Sequence, residues 1–396
     1  MAEMITRKLP AGIQFFSIIR KEGYLYVDKT DLVWQLTHSG DLYNYLSRPR
    51  RFGKSLLLDT LQCYFEGKKD LFEGLAIEKL ELEEEWTEYP VIRLDMSGAG
   101  ATAAEIKDYL NLEFSKYEAL YGIKPKETSR ESVRLQVILD TAYQKTGKQV
   151  VVLIDEYDSP LQHSWKTPEH EGCTEVYRSV FSVLKLKGNV LRFVFITGIT
   201  KFTQISLFSV LNHLTNISFL PQFAPLCGIT EEEMTVNFAP ELEALADKME
   251  CSIEEAHDKL KTYYDGYHFS DENMTDIYNP FSLLNALSQL RLRNYWISSG
   301  ATSMLNKFVN NMELRLHDFE DCYIDKDTLE TSDVIEGGAE LFLYQTGYLT
   351  IKGFDEDGYS LGFPNEEVRK ALYKAVLPAL TKKDITDMGM WRIRTQ

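Results

Sequence analysis

Ser47-Arg48-Pro49-Arg50-Arg51-Phe52-Gly53-Lys54-Ser55 is the stretch on which the fold turns. It stands between Leu42 to Leu46, a short apolar and aromatic run predicted as a strand, and Ser55 to Phe65, predicted as an amphipathic helix with Leu56, Leu57, Leu61 and Tyr64 available for one face. Strand, tight loop and helix are the setting in which the backbone N–H groups of a helix start cradle phosphate. Gly53, Lys54 and Ser55 supply the second half of a G-x-x-x-x-G-K-S loop: a glycine for close backbone approach, a lysine for the β- and γ-phosphates, and a hydroxyl for Mg²⁺. The first glycine is missing and Arg48 stands in its place. Pro49 restricts the residue before it to extended backbone, so Arg48 is expected at negative φ, where glycine is not required.

Working outward, Val150 to Ile154 is an unbroken apolar run, the pattern of a parallel strand buried on both faces. It delivers Asp155 and Glu156 to its C-terminal end, where ligands collect in open α/β sheets. Asp155 is the candidate Mg²⁺ carboxylate and Glu156 the group that polarises an attacking water. A solvated acidic turn is the plainer reading of the pair, but it does not explain their position downstream of a G-K-S helix start. Further strands are expected at Val91 to Met96 and Leu191 to Thr197, with helices at Ala103 to Leu120, Glu131 to Lys145 and Thr174 to Lys187. Strands alternating with helices imply a parallel sheet covered by helices. Thr197, at the end of its strand, is positioned either to bond a γ-phosphate or the attacking water, or to cap the strand through its hydroxyl. Arg50 and Arg51 suit bidentate phosphate contacts, pairing with Asp155 and Glu156, or a solvated rim.

Ahead of the loop, Phe15 to Lys21 reads as a short helix, and Asp28 or Thr30 as the cap of a helix from Asp31 to Thr37. After Pro225 the pattern changes. Thr230-x-x-Glu233 is a capping box, helical segments run to Tyr264, and Asn279-Pro280 opens a helix from Phe281 to Leu290. Tyr348 to Phe354 and Tyr359 to Phe363 flank Asp357-Gly358 as a hairpin, followed by a helix from Glu366 to Leu377. The expected organisation is a core with its lead-in over 1–225, a helical lid over 226–310 and a winged-helix-like unit over 311–396.

Composition narrows the function classes. Of 396 residues, 44% are hydrophobic and 26% charged, the balance of an ordinary globular chain. No apolar stretch is long enough to span a membrane, and Glu3, Arg7 and Lys8 interrupt any secretory leader, so a cytoplasmic protein without membrane contact is expected. The five cysteines form no C-x-x-C pair. A net charge of −17 opposes general nucleic-acid binding, while Arg48, Arg50, Arg51 and Lys54 form a local basic patch suited to phosphate. His163 and His170 lack metal-ligand spacing, and His268 is expected to be packed or hydrogen-bonded. Phe202, Phe208, Phe219 and Phe223 are expected in the core.

Four motifs together resemble the bacterial AAA-ATPase-like family: the loop, Tyr26-Val27-Asp28-Lys29-Thr30, Leu153-Ile154-Asp155-Glu156-Tyr157-Asp158 and Gln345-Thr346-Gly347-Tyr348-Leu349-Thr350. The resemblance covers about residues 5 to 380. It implies an α/β parallel-sheet P-loop ATPase core of the ASCE type, related to AAA+ and STAND ATPases, followed by a helical lid and a winged-helix-like unit. It implies ATP and Mg²⁺ as ligands, and it makes Arg48 an expected feature of the loop. In this resemblance Arg48, Pro49, Arg50, Arg51, Phe52, Gly53, Lys54 and Ser55 surround the nucleotide, Ser55 and Asp155 hold the metal, and Lys54, Glu156 and Thr197 serve catalysis. Longer relatives carry a C-terminal PD-(D/E)xK nuclease-like domain, for which this sequence leaves no room after Leu380. Three functions fit: an ATP-hydrolysing conformational switch, a nucleotide-binding interaction module with little turnover, and a nucleic-acid-associated ATPase. A protein partner and a homo-oligomer are both compatible with the first two, since no arginine finger can be assigned within the chain.

Overall fold

The computed structural model describes residues 7–81, 86–124, 130–201, 214–296, 305, 322–331 and 338–381. Five strands, β1 (Tyr43–Ser47), β2 (Val91–Asp95), β3 (Val150–Asp155), β4 (Leu191–Gly198) and β5 (Leu214–Asn216), form one sheet in the order β2-β3-β4-β1-β5. Every neighbouring pair is parallel. All six residues of β3 are buried, which explains its unbroken apolar sequence. Chain order does not dictate sheet order here. β4 lies between β1 and β3, so the loop after β1 and the acids after β3 share one sheet edge, with the end of β4 between them. That insertion is the arrangement of an ASCE-type P-loop core.

The core helices are α1 (Phe16–Lys21), α2 (Thr30–Thr37), α3 (Lys54–Phe65), α4 (Ala76–Leu80), α5 (Ala103–Leu120), α6 (Glu131–Thr146), α7 (Ser159–Ser164) and α8 (His170–Leu186). Local chemistry sets several of their ends. Thr102 and Glu105 form a capping box ahead of α5, and Gly147 ends α6 at φ 65°. α3 packs on β2, β3, β4 and α1, whereas α5, α6 and α8 pack on one another. Asp28 does not cap α2 from the adjacent position. Its carboxylate instead accepts from the Thr30 N–H and hydroxyl and from the Ala76 N–H, tying α2 to α4.

Beyond the core, β6 (Ile229–Thr230) and β7 (Ile277–Tyr278) pair antiparallel and close a helical segment, Glu231–Asn237, Ala239–Met249 and Ile253–Tyr264. The Thr230/Glu233 capping box forms as expected, and Asn279 caps the helix Pro280–Gln289 through its side chain. The expected hairpin is β9 (Thr350–Phe354) with β10 (Gly358–Gly362). Asp355 accepts from the Asp357 and Gly358 N–H groups to fix its turn. A third strand, β8 (Cys322–Asp325), pairs with β10 and was not anticipated. The expected boundary at residue 310 and the residues Phe202 and Phe208 lie outside the described residues.

Among the described residues, two hydrophobic cores result. The larger runs from Phe16 through the parallel sheet to Tyr348, Ile351, Leu361 and Leu372, so the C-terminal sheet is packed into the same core as the parallel one. The smaller is built by the helical segment, from Ile229 and Met234 to Leu287, with Leu25 and Val27 of the lead-in against it. Among the described residues, no helix is long and apolar enough to cross a membrane. The five cysteines are unpaired thiols, and His268 is held by the Ile351 carbonyl at 2.9 Å and Asp276 at 2.8 Å.

Candidate phosphate-binding site

The loop between β1 and α3 does not turn where its missing glycine suggests. Arg48 is absent from the positive-φ residues, and its N–H continues the sheet by donating to the Gly198 carbonyl at 3.3 Å. The left-handed positions are Arg51, at φ 67°, and Gly53, at φ 90°. Gly53 then accepts from Leu57 and starts α3, whose first N–H groups have no partner within the helix.

Side chains in the loop divide into two sets. Arg48 is 2% exposed, and its guanidinium donates to the carbonyls of Ser47 and Ser218, both at 2.9 Å, and of Phe223 at 3.0 Å, while lying 4.1 Å from the Phe269 ring centre. Burial pushes it down to about 10. Expected among the phosphate contacts, its side chain is instead turned into the core and braces the loop from beneath. Phe52 is buried against Tyr267 and Phe269, edge to face. Pro49 packs so tightly on Gly347 that a Cβ there would come to 2.5 Å. These three position the loop. Arg50, Arg51, Gly53, Lys54, Ser55 and Glu156 line a cavity of about 470 Å³, closed by Gly12 to Gln14 of the lead-in and by Pro280, Phe281 and Leu284 of the helical segment.

Lys54 is 6% exposed and donates to the carbonyls of Arg48 at 2.9 Å and Pro49 at 3.1 Å, holding the loop closed on itself. Burial lowers its pKa, opposed by Glu156 and Asp155. Asp155 is 1% exposed, with the Ser55 side chain against it and the Glu156 N–H donating to it at 3.0 Å. Burial raises its pKa, and Ser55 and Lys54 oppose the rise. Glu156 is half-buried at φ 45°, a conformation that costs a non-glycine residue about 1–2 kcal/mol. Its pKa is raised by burial and lowered by Lys54. Thr197 is fully buried and its hydroxyl has no hydrogen-bond partner among the described residues. It is not among the residues that line the cavity.

Sequence reasoning missed the brace behind the acids. Asp158, 1% exposed, accepts from the Ile199 N–H at 3.0 Å and from the Thr200 N–H and hydroxyl at 2.6 and 2.7 Å. Gln162 donates both to Asp158 and to Thr200. Tyr157 donates from its N–H to the Thr197 carbonyl at 3.0 Å and from its hydroxyl to the Thr200 carbonyl at 2.9 Å. Gly198 cannot carry a side chain, because a Cβ would collide with Asp158 and Tyr157. The end of β4 is thereby locked to the acidic strand end. The signal lies in Asp155-Glu156-Tyr157-Asp158, whose fourth residue is a third acid at the same strand end.

Residues 10–208 match a family model described as "Predicted AAA-ATPase". The chain is 35% identical over 387 residues to the "Uncharacterized protein in vnfD 5'region" of Azotobacter chroococcum mcd 1, covering 94% of this chain and 70% of that protein. Among solved structures it is similar to the ORC2 protein of Aeropyrum pernix in its ADPNP–ADP complexes, at 12% identity and TM-score 0.33 over 96% of this chain and 97% of that one. It is also similar to the ORC1 protein of the same organism in complex with DNA, at 13% identity and TM-score 0.32 over 87% and 90%.

Proposed function

The chain belongs to the AAA-ATPase-like family, and from that premise we propose that it binds ATP in the cavity at the β1–α3 loop, hydrolyses it, and works as a nucleotide-driven conformational switch. One observation carries this reading: Lys54 and Ser55 of the β1–α3 loop and Glu156 from the end of β3, two separate motifs of the chain, line one cavity, with Asp155 against Ser55 behind it. A second, mainly apolar cavity of about 100 Å³ shares Gly53 and Leu56 with the first and is lined by Tyr26, Val27, Leu57 and Ile229. An apolar slot beside a phosphate cradle suits the base of a nucleotide.

Each residue has work of its own. Lys54 exchanges the Arg48 and Pro49 carbonyls for phosphate oxygens, and the first N–H groups of α3 face the same charge. Ser55 and Asp155 fit Mg²⁺ as a hydroxyl and a carboxylate, hard oxygen donors few enough to leave the rest of the shell to phosphate and water. The metal would supply charge neutralisation on the phosphates. Glu156, drawn out of water and held at positive φ, is the base that orients the attacking water. Thr197 does not line the cavity, so only its unpartnered hydroxyl at the end of β4 speaks for a contact with that water or with the terminal phosphate. A net charge of −17 argues against nucleic acid as the partner and leaves a protein or a second copy of the chain.

Single-turnover hydrolysis by the wild type beside Glu156→Gln tests the reading. The variant is expected to keep ATP affinity within a few-fold and lose roughly 10²–10⁴-fold in rate. Wild type that binds ATP but turns it over no faster than the variant is a nucleotide-binding interaction module instead.

A further inference from the structure

None of the residues Gln345 to Thr350 lines the phosphate cavity, yet this motif touches the site's surroundings at two places. Gly347 packs on Pro49 of the loop. Gln345, the last residue of the helix Gly338–Gln345 and 8% exposed, reaches the other: its Oε1 accepts from the Lys201 N–H at 2.9 Å. The Lys201 ammonium donates at 2.7 Å to the carbonyl of Glu330, on the helix Lys326–Thr331. The Glu330 carboxylate in turn accepts from the Tyr359 hydroxyl of β10 at 2.8 Å. Lys201 is thus fastened to the C-terminal unit by its backbone and by its side chain. It directly follows residues 197–200, which the acidic strand end holds through Tyr157 and Asp158. The end of β4 is therefore gripped from two sides, by the strand that carries the acids and by the C-terminal unit.

Resting on the hydrolytic reading above, we propose that Gln345 is a positioning residue for ATP hydrolysis: by anchoring the end of β4 it keeps Glu156 where the attacking water needs it, so that turnover requires a docked C-terminal unit. The chain of contacts is short. Glu156 stands at φ 45°, a conformation that persists only where its surroundings over-determine it. The next residue, Tyr157, donates its N–H to the Thr197 carbonyl, and Asp158 accepts from the Ile199 and Thr200 N–H groups. These bonds fix Glu156 only while residues 197–200 stay in place, and the N–H that follows them is committed to Gln345. Without the Gln345 amide oxygen, the Lys201 N–H lacks its acceptor and the segment shifts to find another. A misplacement of about 1 Å at a reacting group costs on the order of a hundredfold in rate. Nucleotide affinity is set elsewhere, by Lys54, Ser55 and the first N–H groups of α3, so Gln345 acts on the chemical step.

The test joins single-turnover ATP hydrolysis, calorimetric titration of ATP and amide hydrogen exchange at Lys201, all on the full chain with Mg²⁺. Gln345→Leu, which removes the acceptor, should lose roughly ten- to hundredfold in rate, keep ATP affinity within about threefold, and exchange the Lys201 amide about tenfold faster. Gln345→Glu, which keeps an acceptor oxygen, should recover most of the rate. Wild type that binds ATP without turning it over overturns the hydrolytic reading, and this inference with it. Turnover by wild type, with an equal rate or an equally protected Lys201 amide in Gln345→Leu, overturns the inference alone. So does a Gln345→Leu in which rate and affinity fall together, or a Gln345→Glu no faster than Gln345→Leu, since either marks a role in packing only. Should Gln345→Leu not fold, Gln345→Asn, one methylene too short to reach Lys201, carries the same expectation, and a wild-type rate in it overturns the inference equally.

Discussion

Lys54 and Arg48 share one short loop and answer to different physics. The Lys54 ammonium donates to loop carbonyls, which a phosphate can replace, so Lys54→Ala should leave the fold standing and weaken ATP binding roughly 30- to 150-fold, a loss of about 2–3 kcal/mol of charge-assisted contact. Titration calorimetry beside a thermal melt checks both halves. Arg48 is the reverse case. Truncation to Ala strips the hydrogen bonds from the Ser218 and Phe223 carbonyls and opens a hole under Phe269, so Arg48→Ala should cost on the order of 3 kcal/mol of stability, read by urea denaturation. A stable variant that merely loses ATP would return Arg48 to the cavity. At this scale the sequence was legible where the residue type carries the chemistry: Gly53, Lys54, Ser55, Asp155 and Glu156. It was illegible for Arg48, whose partners are backbone carbonyls some 170 residues away and leave no trace in residue identity. The left-handed turn at Arg51 was hidden for a similar reason, because nothing local demands φ above zero at an arginine.

Among the elements, length decided what could be read. α5 and α6 carry caps and full turns of periodic apolar residues, and β3 is an uninterrupted apolar run, so all three stand where the sequence puts them. β5, β6, β7 and β8 are two to four residues each, too short for any periodicity to register. The place of β4 between β1 and β3 is a matter of pairing in space, which linear order does not encode. The element that joins the C-terminal unit to the loop is the turn at Gly347, after the helix Gly338–Gln345. Its φ of 85° and its contact with Pro49 leave no room for a side chain, and its carbonyl accepts from the Tyr267 hydroxyl at 3.1 Å. Gly347→Ala should therefore push on Pro49, costing about 2 kcal/mol or more of stability and weakening ATP binding together with it. Gly353→Ala in β9, where an added Cβ meets nothing within 4 Å, is the control expected to change neither by much. Equal behaviour of the two variants in melts and titrations would show that the C-terminal unit does not press on the loop.

Across the whole molecule, the continuous core and the separate helical core meet along Tyr264 to Phe269, and the charge buried at that seam sets a pH dependence. Asp265, at the end of the helix Ile253–Tyr264, is 1% exposed, and neither carboxylate oxygen has a hydrogen bond of normal geometry among the described residues. Burial is the main cause that pushes its pKa up to about 7. Asp276 and Glu231 add to the rise, while the Gly266 N–H and Lys261, 3.9 Å away, oppose it. Lys352 also faces it, and His268 and His257 pair with Asp276 and Glu231 respectively. A carboxyl raised in the folded state holds a proton that the unfolded chain, near 3.8, has released. Folding stability from this group is therefore greatest in acid and falls as pH rises from about 4 to about 7, after which the buried anion remains a constant penalty. Asp265→Asn keeps the shape and removes the titration. Between pH 5 and pH 8 the wild type should lose on the order of 2 kcal/mol relative to the variant, and the variant should be the more stable protein at pH 8. Urea midpoints of both proteins at the two pH values measure the difference. Parallel curves would mean that Lys261 and the Gly266 N–H already neutralise the burial penalty, so that Asp265 is ionised in the folded protein throughout that range.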